Sequence, residues 1–262
     1  MSANEPGQPE AVTETGVGSP TITSRDLPTP RVALAVGAHP DDVEFGGGGT
    51  LAKWAADGCV VHHVVCTDGS KGTWDVDADV VELATRRQVE QREAARRLCG
   101  DGAGEVVFLG RVDGELENDR EARSLLAAII RRLQPDVVLG HDPWKRYRLH
   151  PDHRNAGLLV CDAVVAARDP HFFPEHGIAH HRPSHLLLWE ADAPDHIEDV
   201  SDWVDRKLDA LEAHESQFES TMKAVDSDQL AAFRSRIRDR LAGLGAPHGL
   251  AAAEQFKLIS DL

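Results

Sequence analysis

Val32-Ala33-Leu34-Ala35-Val36-Gly37-Ala38 is a continuous apolar run that ends on His39-Pro40-Asp41-Asp42. It lacks the polar alternation of a half-exposed strand, so it reads as a strand buried on both faces. Strands of that kind belong to parallel sheets with helices on both sides. The chain downstream fits this reading. A helix is predicted over about 50–57, ended by Gly58, and a second strand over 60–66. There follow a helix over 80–98, a strand over 105–109, a helix over 119–134 stopped by Pro135, and a strand over 136–140. A helix over 152–167, a strand over 184–190 and a helix over 199–214 continue the alternation. Repeated strand–helix units imply an α/β fold with a mostly parallel sheet flanked by helices and right-handed crossovers. Residues 228–262 read as helical and then irregular. Upstream, residues 1–29 are rich in Pro, Gly, Ser and Thr, and are predicted to be a disordered tail. One domain is expected over 30–262.

Composition excludes several function classes. The 262 residues carry a formal net charge of -16, which argues against nucleic acid as a partner, because phosphate binding needs a basic face. No stretch approaches the roughly 18 apolar residues of a membrane span. No basic head precedes an apolar run at the N-terminus, so the expected location is cytoplasmic. The four cysteines form no C-x-x-C pair and read as reduced, buried thiols. The histidines are more informative, because several stand beside carboxylates.

In an open α/β sheet, ligands bind beyond the carboxyl ends of the strands. His39 and Asp42 leave the first strand there, three residues apart on a turn that can aim both at one point. One imidazole and one carboxylate suit a zinc ion. Asp41 between them is free to accept a proton, although both aspartates are also ordinary helix caps. The glycines 46–49 that follow lack the Gly-Lys-Thr ending and the dinucleotide spacing, so close backbone packing beside the turn is the better reading.

His150-Pro151-Asp152-His153 follows the fourth strand and opens a helix. Its two histidines, three apart, share a face. One can complete a three-ligand metal site that leaves the fourth position open. The other can face a substrate carbonyl. Asp152 can orient a histidine. The basic loop of Lys145, Arg146 and Arg148 lies next to this segment and either holds a substrate anion or is simply solvated. His141 and Asp142 stand at a strand end as possible supporting groups. The role of His214 stays open.

These residues resemble a known family. Ala38-His39-Pro40-Asp41-Asp42 with Glu44 and Gly48-Gly49-Thr50-Leu51, then His150-Pro151-Asp152-His153-Arg154, is similar to the PIG-L/LmbE-like zinc-dependent deacetylases. The likeness covers about residues 31–217 and includes Thr67-Asp68-Gly69, Arg87-x-x-Glu90 and Asp113-Gly114-Glu115. It implies a Rossmann-like fold and removal of an N-acetyl group from a small, glucosamine-containing substrate. Carried over by position, His39, Asp42 and His153 bind one zinc ion, with Fe2+ or Co2+ able to occupy the same ligands. Asp41 is the general base, and His150 stabilises the oxyanion with Asp152 as its partner. Arg87, Asp113 and Arg148 fall at substrate-contacting positions. Arg148 stands where some relatives have a tyrosine, a departure on the oxyanion side.

Other readings compete. Two histidines and a carboxylate also make the triad of non-haem iron oxygenases, but those sites sit on β-barrels. A zinc amidase cleaving a larger amide, such as a thiol conjugate, uses the same residues. So does an inactive metal-binding protein. Assembly into a homo-oligomer is left open.

Overall fold

The computed structural model describes residues 21–262. Their centre is an eight-stranded sheet in the order β1-β7-β8-β6-β5-β2-β3-β4. The strands are β1 (Ser24–Arg25), β2 (Val32–Gly37), β3 (Val60–Thr67), β4 (Ala103–Arg111), β5 (Val137–His141), β6 (His185–Trp189), β7 (His196–Asp199) and β8 (Ala253–Ser260). The helices are α1 (Asp42–Ala56), α2 (Val80–Cys99), α3 (Arg120–Leu133), α4 (Pro151–Arg168), α5 (Val204–Leu211) and α6 (Ser227–Gly245). All pairings are parallel except those of β8, which runs antiparallel between β6 and β7. The α/β fold read from the sequence is the observed one. Among the described residues, no helix is long and apolar enough to cross a membrane.

The apolar run of β2 is buried as its composition requires, with Ala33, Leu34, Ala35 and Val36 inaccessible to solvent. One core layer packs Leu34 and Val36 with α3 and α4 through Leu126, Ile130, Leu159 and Val160. The other packs Ala33 and Ala35 with α1 and Trp54, Leu98 and Phe256. Several helices start on aspartate caps, which satisfy otherwise orphaned N–H groups: Asp79 for α2, Asp119 for α3 and Asp226 for α6. The four cysteines are free thiols, three of them buried.

The structure corrects four local readings. The sequence predicts a helix beginning near Thr50, but α1 begins at Asp42 and takes the whole glycine run inside it, with a kink at Gly47. Helix propensity loses there to packing. A Cβ on Gly46 would lie 2.4 Å from the Trp189 ring, and one on Gly49 2.8 Å from Val200. Residues 199–214, read as one helix, are the end of β7 followed by α5. The irregular end of the chain is strand β8, reached through α6. Finally, Ser24 and Arg25 pair with His196 and Ile197, so residues 24–25 of the predicted tail join the sheet edge. Leu27 of the same segment packs against the core and donates from its N–H to Glu198 Oε1 at 2.9 Å, while residues 1–20 of the prediction lie outside the described residues.

Glu254 on β8 shows why the last strand sits where it does. Its buried carboxylate accepts from Gly49 N at 2.9 Å, Thr50 N at 2.8 Å and Thr50 Oγ1 at 2.7 Å, and meets Lys207 Nζ at 2.6 Å. One side chain thus ties β8 to α1 and α5.

Candidate active site

β2 and β5 are neighbours whose connections run outward in opposite directions, to β3 and to β6. A crevice opens at the carboxyl ends of two such strands. His39 follows β2, and His141 ends β5. His150 and His153 come from the start of α4, while Asp113 follows β4. The cavity there has a volume of about 540 Å³ and is lined by His39, Asp41, Asp42, Asp113, His150 and His153 among others.

His39 Nδ1 lies 3.2 Å from His153 Nε2. The Asp42 carboxylate lies 3.4 Å from each of these nitrogens. Ligands about 2.1 Å from a tetrahedral ion are spaced roughly 3.4 Å apart, so the two nitrogens and the Asp42 carboxylate, which meets one of them through Oδ2 and the other through Oδ1, are gathered at the scale of such a site. The remaining nitrogens agree with this. His39 Nε2 meets Asp152 Oδ2 at 3.0 Å and Asp113 Oδ1 at 3.1 Å, so its proton belongs on Nε2 and Nδ1 keeps a lone pair. His141 is different. Its Nδ1 accepts from the Trp189 indole N–H at 3.0 Å, an unambiguous donor, so its proton lies on Nε2. From there it donates to Asp42 Oδ2 at 3.2 Å and orients that carboxylate.

The electrostatics call for a cation. Although burial opposes it, Asp113, Asp152 and Asp42 together raise the His39 pKa well above its ordinary value. Asp42 itself is held well below the usual carboxylate range, against burial, by His153 and His141. Burial, with the neighbouring His141, His39 and His150, pushes His153 down to about 4, although Asp42 opposes this. That direction favours the neutral imidazole, the form in which histidine binds a metal. A divalent ion would offset the converging carboxylates, so the donor set fits a metal.

Asp41 is built differently from its neighbour. It sits at φ 105°, a left-handed conformation that costs energy in a residue with a side chain, and its carboxylate caps nothing. The strained turn is gripped from outside. Gln91 Oε1 accepts from Asp41 N at 2.9 Å, and Arg87 donates to Pro40 O at 2.6 Å and Gly69 O at 2.8 Å. Burial, with Asp42 adding to it, raises Asp41 to about 6 against the opposing charges of Arg87, His214 and His39. His150 is the N-cap of α4 but makes no side-chain cap, and Pro151 after it has no N–H that needs an acceptor. Its ring is left against His39, with centroids 4.6 Å apart, and against His153, 4.9 Å apart.

The pattern of PIG-L, described as GlcNAc-PI de-N-acetylase, matches residues 34–164, half of the chain. The diacetylchitobiose deacetylase of Thermococcus kodakarensis is 38% identical over 188 residues, which cover 71% of this chain and 69% of that protein. The chain belongs to the PIG-L family. A 1D-myo-inositol 2-acetamido-2-deoxy-alpha-D-glucopyranoside deacetylase of Catenulispora acidiphila is 33% identical over 170 residues, 56% of this chain and 52% of that one. The structure of an N,N'-diacetylchitobiose deacetylase from Pyrococcus horikoshii superposes with a TM-score of 0.79 at 33% identity, covering 88% of this chain and 84% of that one. As a PIG-L member, the protein is a hydrolase of the N-deacetylase class.

Within this PIG-L site, two sequence-based assignments change. Asp152 does not hydrogen-bond His150. Its Oδ2 holds His39 Nε2 and accepts from Gly114 N at 2.6 Å, while Oδ1 accepts from Leu116 N at 3.2 Å. Arg148, expected at the substrate, is buried and committed elsewhere, to Glu190 Oε2 at 2.6 Å and His141 Nδ1 at 2.9 Å. Arg87 and Asp113 do line the cavity. A buried group whose role the sequence did not show stands behind Asp41. Gln91 Nε2 donates to Glu44 Oε1 at 2.7 Å, and His214 Nε2 lies 3.4 Å from Glu44 Oε2. All three are fully buried. Glu44 was legible as part of the family motif and His214 was noted without a role, whereas nothing in the sequence pointed to Gln91.

Proposed function

We propose that this protein is a zinc-dependent N-deacetylase that removes the acetyl group from a small substrate containing an N-acetylglucosamine unit. The observation that carries the reading is the spacing of His39 Nδ1, His153 Nε2 and the Asp42 carboxylate, at 3.2, 3.4 and 3.4 Å, at the mouth of a cavity large enough for a sugar. The named substrates of the relatives, diacetylchitobiose and a glucosamine–inositol conjugate, support the substrate class.

His39, Asp42 and His153 hold one ion. Two nitrogens and one oxygen favour Zn2+, and Fe2+ or Co2+ fit the same donors. When bound, the ion supplies Lewis acidity that polarises the amide carbonyl and brings the pKa of the attacking water to about 7. Asp41, uncapped and aimed into the cavity by its strained turn, takes a proton as water adds to the carbonyl carbon. His150, free of capping duty, faces the carbonyl oxygen and stabilises the negative charge that develops there. Asp41 passes that proton to the nitrogen as the C–N bond breaks and the carbonyl re-forms, so the amine leaves protonated and acetate is released. Asp152, with Asp113, fixes the tautomer and angle of His39, while His141 does the same for Asp42. Arg87 keeps the Pro40–Asp41 turn in place.

The test is metal content together with acetate release from a panel of N-acetylglucosamine conjugates, on the wild type and on His153→Ala. About one metal per chain is expected, with acetate release falling by a factor on the order of 1,000 or more in the variant as the ion is lost. Metal without acetate from any conjugate would move the reading to a larger amide. A wild type that binds no metal would sink it.

A further inference from the structure

The cavity runs on from the histidine cluster to one face of α6. Phe233, Arg236, Ile237 and Arg240 line it there, at the spacing of a single helical stripe. α6 lies beyond residues 34–164, so this wall is not part of the shared family pattern.

Charge along α6 is sorted by face. Arg234 and Arg238, on the side turned from the cavity, pair with Glu212 and Asp205. On the cavity side, Arg236 donates to Met222 O at 2.8 Å and makes no ion pair among the described residues. Arg240 reaches Glu190 Oε1 only at 3.7 Å, and that carboxylate is already held by Arg148 at 2.6 Å. A smaller cavity of about 150 Å³ shares Phe45, Glu190, Ile237 and Arg240 with the first and adds Lys145. The outer end of the site therefore carries Arg236 and Arg240, with Lys145 in the adjoining cavity, beside the carboxylate of Glu190, in a chain whose formal net charge is -16. Such a local reversal of sign concentrates anions. Between this end and the histidines stand Phe45 and Phe233, edge to face with centroids 6.2 Å apart, an apolar floor for a sugar ring.

We propose that this outer end is an anion subsite, in which Arg236 and Arg240 hold a phosphate or carboxylate carried by the amino-sugar substrate on the side away from its acetamide. The guanidinium fork matches either group. The inference rests on the deacetylase reading above and narrows its substrate to anionic amino sugars.

The experiment compares wild type with the Arg236→Gln/Arg240→Gln double variant on three compounds: N-acetylglucosamine 6-phosphate, N-acetylglucosaminyl-glucuronate and neutral N,N'-diacetylchitobiose. The ratio of kcat/KM for the anionic compounds to that for the neutral one should drop roughly tenfold or more in the variant, through KM, as expected for lost charge-assisted hydrogen bonds. Added salt should shrink the wild-type ratio. The phosphate and glucuronate arms tell which anion is preferred. An unchanged ratio, or a wild type that favours the neutral compound, overturns the subsite while leaving the deacetylase reading intact. Calorimetric titration with glucosamine 6-phosphate and glucosamine gives a second readout. Binding of the phosphate that weakens in the double variant supports the subsite even if no compound releases acetate, whereas equal binding refutes it.

Discussion

The Asp41–Asp42 cluster at the end of β2 and the Glu254 cluster on β8 are both buried and both charged, and they are satisfied in opposite ways. Each oxygen of Glu254 meets a donor at 2.6–2.9 Å, three from α1 and one from Lys207, in balanced charge. Around His39, three carboxylates converge on one imidazole, Asp41 is strained, and the neighbouring His153 is driven to about 4, mainly by burial. A polar group buried with its partners complete holds structure. One buried with conflicting charges and an open cavity in front of it is poised for chemistry. The contrast separates a structural carboxylate from those proposed here to be catalytic without reference to any relative.

That contrast can be broken by substitution. Asp41→Asn should lower kcat by about 100- to 10,000-fold, the range of a lost general base, with metal content unchanged and Tm equal or higher. Thermal unfolding beside steady-state kinetics checks both halves, and a variant that stays active would remove Asp41 from its role. Glu254→Ala should behave in the reverse sense. Leaving Lys207 buried without its partner costs about 3–5 kcal/mol of stability by denaturant unfolding, while the folded fraction retains its specific activity. Loss of activity at full stability would show that the two clusters are not distinct. Asp152→Asn is the smallest and sharpest change. If it acts by holding His39, metal affinity should weaken roughly 10- to 100-fold, and excess zinc should restore most of the activity. If it serves His150 instead, the affinity should stay and kcat should fall.

The site was readable where its parts are close in sequence. His39 with Asp42 at the end of a strand, and His150 with His153 at the start of a helix, are each three residues apart, so local geometry alone aims them together. Among their supporting residues, His141 and Asp152 were readable as candidates but not their partners, and Gln91 was not readable at all. Gln91 bonds to Asp41 across 50 residues, His141 to Asp42 across 99, and Asp152 to His39 across 113. No spacing rule reports contacts of that range. Asp152 in particular stands next to His150 and His153 in sequence, yet the start of α4 turns it toward His39.

The fold divides in the same way. The β2 run specified its own strand and its place in the sheet interior, because a segment apolar on both faces is stable only with layers on both sides. Alternation of strand and helix specified the parallel sheet around it. The glycine run of α1 could not be placed this way. Its propensity opposes helix, and only the close approach of Trp189 and Val200 accounts for both its small residues and its helical course. The insertion of β8 between β6 and β7, and the α6 wall over the cavity, also depended on folding. Both are set by contacts between segments about 50 or more residues apart in the chain, such as Lys257 with Asp195 and Arg240 with Glu190 on one side, and Glu254 with Gly49 on the other. Short-range spacing carried the chemistry. Long-range packing, whose partners no local pattern names, decided which residues steady that chemistry and what shape of substrate meets it.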